Sequence, residues 1–289
     1  MIDTHGRLIP VFLALGLILL AGSCRSQWPA GRLKLYDLAD RRTVAAGQAL
    51  SALDDARLVL VGEHHTDSAH HDAQLLVIRS LHVAGISISI GLEMFPKDQQ
   101  QALDRWVAGE IAEADFERIY LANWSFPWHF YREIFLYARH HEIPMIGLNV
   151  SRSITRQVAR EGFASLSDEQ RGELEGVACD VTPQYRDFIR RAFGAHGHGS
   201  MEFAHFCEAQ LVWDTAMAIN ALNHLNHHPQ RTLVLLAGSG HVRKMGIPAQ
   251  VRSRSSLPVT VLLPYTPGIF EPGLLTVDDA DYLILPRNP

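Results

Sequence analysis

The amino-acid sequence predicts an α/β fold: a parallel-rich sheet flanked by helices, with a helical insertion over the carboxyl edge of the sheet. Three observations carry this expectation. Apolar runs of strand length alternate with stretches of helical spacing, as parallel strands joined by crossover helices require. Those runs lack polar alternation, which fits strands buried on both faces. Between 151 and 230 the alternation stops and only helical patterns follow.

The chain of 289 residues, 47% of them hydrophobic, has ample material for one sizeable core. Residues 1–24 read as a targeting segment outside the fold. Arg7 gives a weakly positive start, partly cancelled by Asp3, and "LIPVFLALGLILLAGSC" supplies an apolar run ending at Cys24. The run is short for a membrane span. Its ending, "LLAGSC", resembles the bacterial lipobox, with Ala21 where leucine is more usual. That resemblance implies cleavage before Cys24, lipidation of its thiol and attachment to the membrane; a plain signal peptide with an incidental cysteine is the alternative. Arg25, rather than an acidic residue, follows the cysteine, which in such lipoproteins implies the outer membrane of a bacterial envelope. Residues 25–289 are expected to form a single domain.

Residues 25–55 are polar and irregular, with "GRLKLYDLAD" (31–40) a candidate edge strand. "RLVLVG" (57–62) is the first core strand, and "DAQLLVIRSLHVAG" (72–85) a helix ended by Gly85. "ISISIGLE" (86–93) is the next strand, followed by helices over "DQQQALDRWVAG" (98–109) and "REIFLYARHHE" (132–142) and a strand over "IPMIGLNV" (143–150). In the insertion, "SDEQRGELEGVA" (167–178) opens with a Ser-x-x-Gln capping box. "TPQYRDFIRRAFG" (182–194) and the long run "MEFAHFCEAQLVWDTAMAINALNHL" (201–225) follow. "RTLVLLAGSGH" (231–241) and "PVTVLLP" (258–264) return to strands. Glu208, Gln210, Trp213 and Asp214 interrupt the apolar surface of the long helix, which with its neighbours is expected to form a lid or subdomain over the sheet edge.

Four strands deliver polar side chains at their carboxyl ends: Glu63, His64 and His65; Glu93; Asn149; and Gly238-Ser239-Gly240-His241. Ligands of open α/β sheets bind at that edge, so these residues are the expected site, with His70 and His71 beginning the next helix and able to reach back. Two of the ends share the spacing Gly-x-x-His, Gly62 to His65 and Gly238 to His241; glycine lets the chain turn off a strand and lets a ring or ligand approach the backbone. Sixteen histidines, bunched rather than spread, raise the expectation of ligation. "NHLNHHPQ" (223–230) and "RHHE" (139–142) read instead as solvated helix ends. A net charge near −5 gives no basic footprint for nucleic acid. Cys179 and Cys207 are candidates for a disulfide or for buried thiols.

Five blocks in order, "VGEHHTDSAHHDAQ", "LEMFPKDQQQALDRWVAGEI", "WSFPWHFYREIFLYAR", "EAQLVWDTAMA" and "LLAGSGHVRKMGIP", resemble the ChaN-like iron-regulated lipoproteins, the haem-binding uptake group of the Tiki, TraB and erythromycin-esterase superfamily. The resemblance runs from about residue 57 to 265, and it implies haem (iron) as the cofactor. It implies two haems face to face between the protomers of a homodimer, each iron ligated by a tyrosine, with basic or imidazole groups of the partner on the propionates. It also implies haem and iron acquisition, with an uptake receptor as a further partner. A porphyrin disc needs apolar walls, and "NWSFPWHFY" (123–131) offers Trp124, Phe126, Trp128, Phe130 and Tyr131. Tyrosinate is a hard donor suited to ferric iron; Tyr131 and Tyr185 are the candidates. His64, Lys97, Arg243 and Lys244 are candidates for the propionates, and His65 and His241 for the pocket itself. A packing corner is the plainer account of the aromatic stretch.

The competing class is a hydrolase of the same superfamily. Glu63, His65, Glu93 and His241 would either hold a divalent metal with an open position or use a histidine as general base oriented by a carboxylate. The balance favours a binding protein without turnover. His196, His198, Met201 and His205 in "HGHGSMEFAH" form a further cluster suited to copper, zinc or haem, or a solvent-exposed loop.

Overall fold

The structure, a computed structural model, describes residues 33–44, 46–174, 176–192 and 202–286. In chain order the elements are β1 (Leu35–Asp37), β2 (Arg42–Val44), α1 (Ala46–Asp54), β3 (Leu58–Glu63), α2 (Ser68–Val83), β4 (Ile88–Pro96), α3 (Gln100–Val107), α4 (Glu113–Asn123) and α5 (Trp128–His140). There follow β5 (Met145–Asn149), α6 (Arg152–Glu161), α7 (Asp168–Glu173), α8 (Pro183–Ala192), α9 (Phe203–His227), β6 (Thr232–Gly238), α10 (Ser239–Val242), α11 (Ile247–Arg252), β7 (Val259–Pro264) and β8 (Tyr282–Ile284).

The eight strands form one sheet in the order β2-β1-β8-β7-β3-β6-β4-β5. From β8 to β5 every pairing is parallel, as the apolar runs predict. The sheet is mixed because β1 runs antiparallel to both β2 and β8. The expected edge strand therefore lies one place inside the edge, which β2 occupies. A local turn makes this hairpin: the Asp37 carboxylate accepts from the backbone of Ala39 and Asp40, and Arg41 takes a positive φ of 53°.

Alternate residues of each core strand enter opposite cores. Val59 and Val61 of β3 join the cluster under α2, α3, α4 and α5, whereas Leu58 and Leu60 join the one under α9 and α11. Burial on both faces explains the uninterrupted apolar sequence. Helix α2 starts where the Asp67 side chain accepts from Ala69 N at 2.9 Å. Helix α7 carries the expected capping box of Ser167 and Gln170.

Helix α9 is more than a lid. Its later half, through Met217, Ala218, Ala221, Leu222 and Leu225, is the layer covering the second face of the sheet. Its earlier half packs against α6 and against Leu166 and Leu174, which flank α7, through Ala209, Val212 and Ala216, and against α8 through Cys207 and Leu211. Cys207 is buried, Cys179 half-buried, and both are free thiols. Among the described residues no helix is long and apolar enough to cross a membrane.

Candidate functional site

The site is built where β3, β4, β5 and β6 end. Glu63 closes β3 and is buried. Its carboxylate accepts from the Tyr131 hydroxyl and from His65 Nδ1 at 2.7 Å, with His71 Nε2 3.2 Å away on the other oxygen. Burial pushes the Glu63 carboxyl upward, but the hydrogen bonds and charges of His65 and His71 outweigh it and hold the group at about 2. An ionised carboxylate accepts only, so Nδ1 of His65 carries the proton and Nε2 is left for a ligand. Burial disfavours the His65 imidazolium, yet the Glu63 hydrogen bond and the charges of Glu93 and Glu63 raise its pKa above the ordinary value.

A matching arm comes from the other side. Asp214, buried in the middle of α9, accepts from the Tyr185 hydroxyl at 2.6 Å and from His241 Nδ1 at 2.6 Å. Burial raises the Asp214 pKa against the pull of His241 and Tyr185. Burial likewise opposes the His241 imidazolium, but Asp214 and Glu93 prevail and lift its pKa to about 9. Glu93 lies between the arms: Oε2 accepts from Gly238 N at 2.7 Å, and Oε1 is 3.7 Å from His241 Nε2. Two chains of tyrosine, carboxylate and imidazole thus converge on one carboxylate.

The glycines of the two Gly-x-x-His segments serve each other's strand. A Cβ on Gly238 would stand 3.0 Å from the His65 ring. One on Gly62 would stand 2.7 Å from Ser239 Oγ and 2.8 Å from Leu263 Cδ2. The paired spacing is therefore a mutual clearance between β3 and β6, neighbours in the sheet.

Above the convergence lies a cavity of about 270 Å³. His65, Glu93, Asn149 and His241 form its floor side, and Met94, Trp124, Phe126 and Trp213 its apolar walls. The His65 ring meets Trp124 edge-on with centroids 5.0 Å apart and Phe126 at 4.7 Å. Trp213 meets His241 edge-on at 5.6 Å. Arg152 and Gln210 complete the lining. A wider cleft of about 860 Å³ opens at the opposite edge, beside the ends of α2, α3 and α5, and holds none of the expected site residues.

Several sequence expectations are corrected. Neither candidate iron ligand presents its hydroxyl to the cavity: Tyr131 is fully buried on Glu63, and Tyr185 is buried on Asp214. Burial and the neighbouring carboxylate raise the pKa of each phenol, so both act here as donors that orient a carboxylate. Trp128 is a core residue packed on Trp106, Phe116, Tyr120 and Phe135 rather than a cavity wall. His64 is exposed with Nδ1 on Thr66, while Lys97 donates to the Glu173 carbonyl, both outside the cavity lining. Arg243 and Lys244 are paired with Asp279 and Asp281. His205 sits at the start of α9 beside Arg160 and Glu202; His196, His198 and Cys24 lie outside the described residues. His224 is no solvated residue: its Nε2 is 3.0 Å from Ser89 Oγ, and burial lowers its pKa to about 4. Among the described residues, no three His, Cys, Asp or Glu side chains are grouped to hold a metal ion.

Residues 49–251, well over half of the chain, match the family described as haem-binding uptake, Tiki superfamily, ChaN. The chain belongs to this family. Among solved structures, the ChaN of Campylobacter jejuni, described with cofacial haem binding, is similar at a TM-score of 0.70 with 20% identity, covering 89% of this chain and 97% of that one. At that identity the likeness shows the fold. The type III effector HopBA1 (TM-score 0.49, 13% identity, 90% of this chain and 99% of that chain) and a mutant of the erythromycin esterase EreC in its open conformation (0.47, 13%, 83% and 78%) are more distant. No curated protein matches.

Proposed function

We propose that this ChaN family member is a haem-binding protein serving haem and iron acquisition, anchored through a lipid on Cys24, in the outer membrane of a bacterial envelope. The haem lies at the carboxyl edge of the sheet between two copies of the chain, and an uptake receptor is a further partner. The observation that supports this best is the aromatic-walled cavity beside a histidine whose orientation a buried carboxylate fixes. The residues fit the group. Trp124, Phe126 and Trp213 offer flat apolar faces, and His65 offers an imidazole with its tautomer set by Glu63, the arrangement that metal-ligating histidines use. Bound haem would supply its iron as the transported metal. At about 270 Å³ the cavity is below the range that encloses a drug-sized ligand, so the macrocycle enters by one edge and the rest needs cover from a second copy. Titrating the protein with hemin, followed by absorption and sizing chromatography, should give saturable binding and a shift toward dimer. Hemin that binds without saturation refutes the reading.

A second reading rests on the twin relays. Two imidazoles, each fixed by a carboxylate and facing Glu93, are a general acid–base arrangement, so a hydrolase using His65, His241, Glu63 and Glu93 is the alternative, by the metal-free route because these side chains are not grouped to hold a metal ion. Metal analysis of the protein as isolated, with ester and peptide substrates, tests it; turnover that H65A and H241A abolish is its signature.

A further inference from the structure

The cavity has a polar corner that neither reading uses. Arg152, the first residue of α6, lines the cavity with its guanidinium 5.7 Å above the Trp124 ring. Among the described residues no ion-pair partner holds it, unlike Arg132, Arg190 and Arg243, which are each paired with a carboxylate. Gln210 of α9 lines the same cavity at 3% exposure, and its Oε1 is buried without a hydrogen-bond partner. A buried amide left unpaired costs stability, and nothing among the described residues holds the Gln210 carboxamide in one of its two flipped orientations. The other charged groups at the lining are Glu93, His65 and His241; the Glu93 charge attracts Arg152 without forming an ion pair with it, and Glu93 is itself engaged by Gly238 N and by the His241 charge.

We infer that Arg152 and Gln210 form a carboxylate-recognition corner: an acidic arm of the ligand enters the cavity and meets the planar fork of Arg152, which suits a carboxylate bidentately. An ionised carboxylate only accepts, so the Gln210 carboxamide meets the arm with its nitrogen, turned toward it by rotation about one bond. The cavity volume of about 270 Å³ accommodates an arm of that size. Trp124 links the two halves of recognition, with Arg152 over its face and His65 at its edge. An arm held at Arg152 therefore brings the flat body of the ligand against Trp124 and Phe126.

Taking haem as the ligand rests on the reading above, and the test separates the two. Affinities of the full-length protein for hemin and for hemin dimethyl ester, whose arms carry no charge, are compared in the unmodified protein, R152M, R152K and Q210M. The unmodified protein should prefer hemin by about tenfold or more, the scale of one charge-assisted hydrogen bond. R152M should bring hemin down to the affinity of the ester, R152K should keep part of the preference, and Q210M should reduce it by less than R152M. A preference that survives in R152M, or equal binding of both compounds by the unmodified protein, overturns the carboxylate corner while leaving haem binding intact. Binding of neither compound by the unmodified protein overturns the haem reading and the corner with it.

Discussion

Replacing Glu63 by glutamine should separate the charge of the buried carboxylate from its shape. Glutamine keeps the volume and an oxygen that accepts from Tyr131 and His65, but it carries no charge. Glu63 is held at about 2 against an ordinary 4.5. At 1.36 kcal/mol for each pH unit, the folded state gains about 3 kcal/mol from ionising this group. Because the folded pKa is the lower one, that stability is present above pH 4.5 and lost as pH falls toward about 2. E63Q should therefore be less stable by about 3 kcal/mol at pH 6, seen as a drop of about 1 M or more in the urea midpoint. The gap between the two proteins should close on acidification, since the unmodified protein loses the contribution that E63Q never had. Urea titrations at pH 6, 4.5 and 3 provide the measurement. An equal gap at pH 6 and pH 3, or none at pH 6, would refute the claim that His65 and His71 hold an ionised carboxylate.

Three further outcomes are expected. In D214N the His241 pKa should fall from about 9 toward the ordinary 6.5, read by NMR titration of the imidazole. The raised pKa gives stability that is full below pH 6.5 and lost as pH rises through about 9, and D214N should lack this alkaline loss. Y131F and Y185F should each cost about 1–3 kcal/mol, because a buried carboxylate loses a donor, yet leave the absorption spectrum of bound hemin unchanged; loss of a tyrosinate charge-transfer band in either would restore that residue as iron ligand. G62A should destabilise by more than G238A, within the roughly 1–3 kcal/mol of overpacking, because its Cβ meets the packed side chains of Ser239 and Leu263. G238A keeps an ordinary φ of −54° and should act mainly by displacing the His65 ring and weakening hemin binding.

The parallel core was legible because burial on both faces forces continuous apolar runs, and the site because four of those runs end in ligating residues. The paired Gly-x-x-His spacing pointed to the right place, although its reason, clearance between neighbouring strands, depends on β3 lying beside β6, which spacing alone does not encode. Tyr131 and Tyr185 were found as part of the site, but that their hydroxyls turn to Glu63 and Asp214 was not legible, since a sequence block says where a phenol is and not which way its hydroxyl points. Asp214 left a signal, an acidic residue in the middle of an apolar helix, that a rule for buried charges can read. Arg152 left none: an arginine at a helix start looks like any surface cation until the fold sets it over Trp124. The β1–β2 hairpin was hidden by its length, three residues to a strand.

The antiparallel setting of β1 fixes where the described chain begins. Leu35 pairs with Ile284, which in turn sits at the level of Pro264, the carboxyl end of β7. The chain therefore enters the fold at the rim that bears the cavity, three strand spacings from β3, or about 14 Å. Under the proposed anchoring at Cys24, about nine residues separate the lipid from Leu33, a leash of at most about 30 Å. On that proposal the rim bearing the cavity would stay within reach of the bilayer surface set by the leash, and a partner exchanging ligand with it would have to work within that reach.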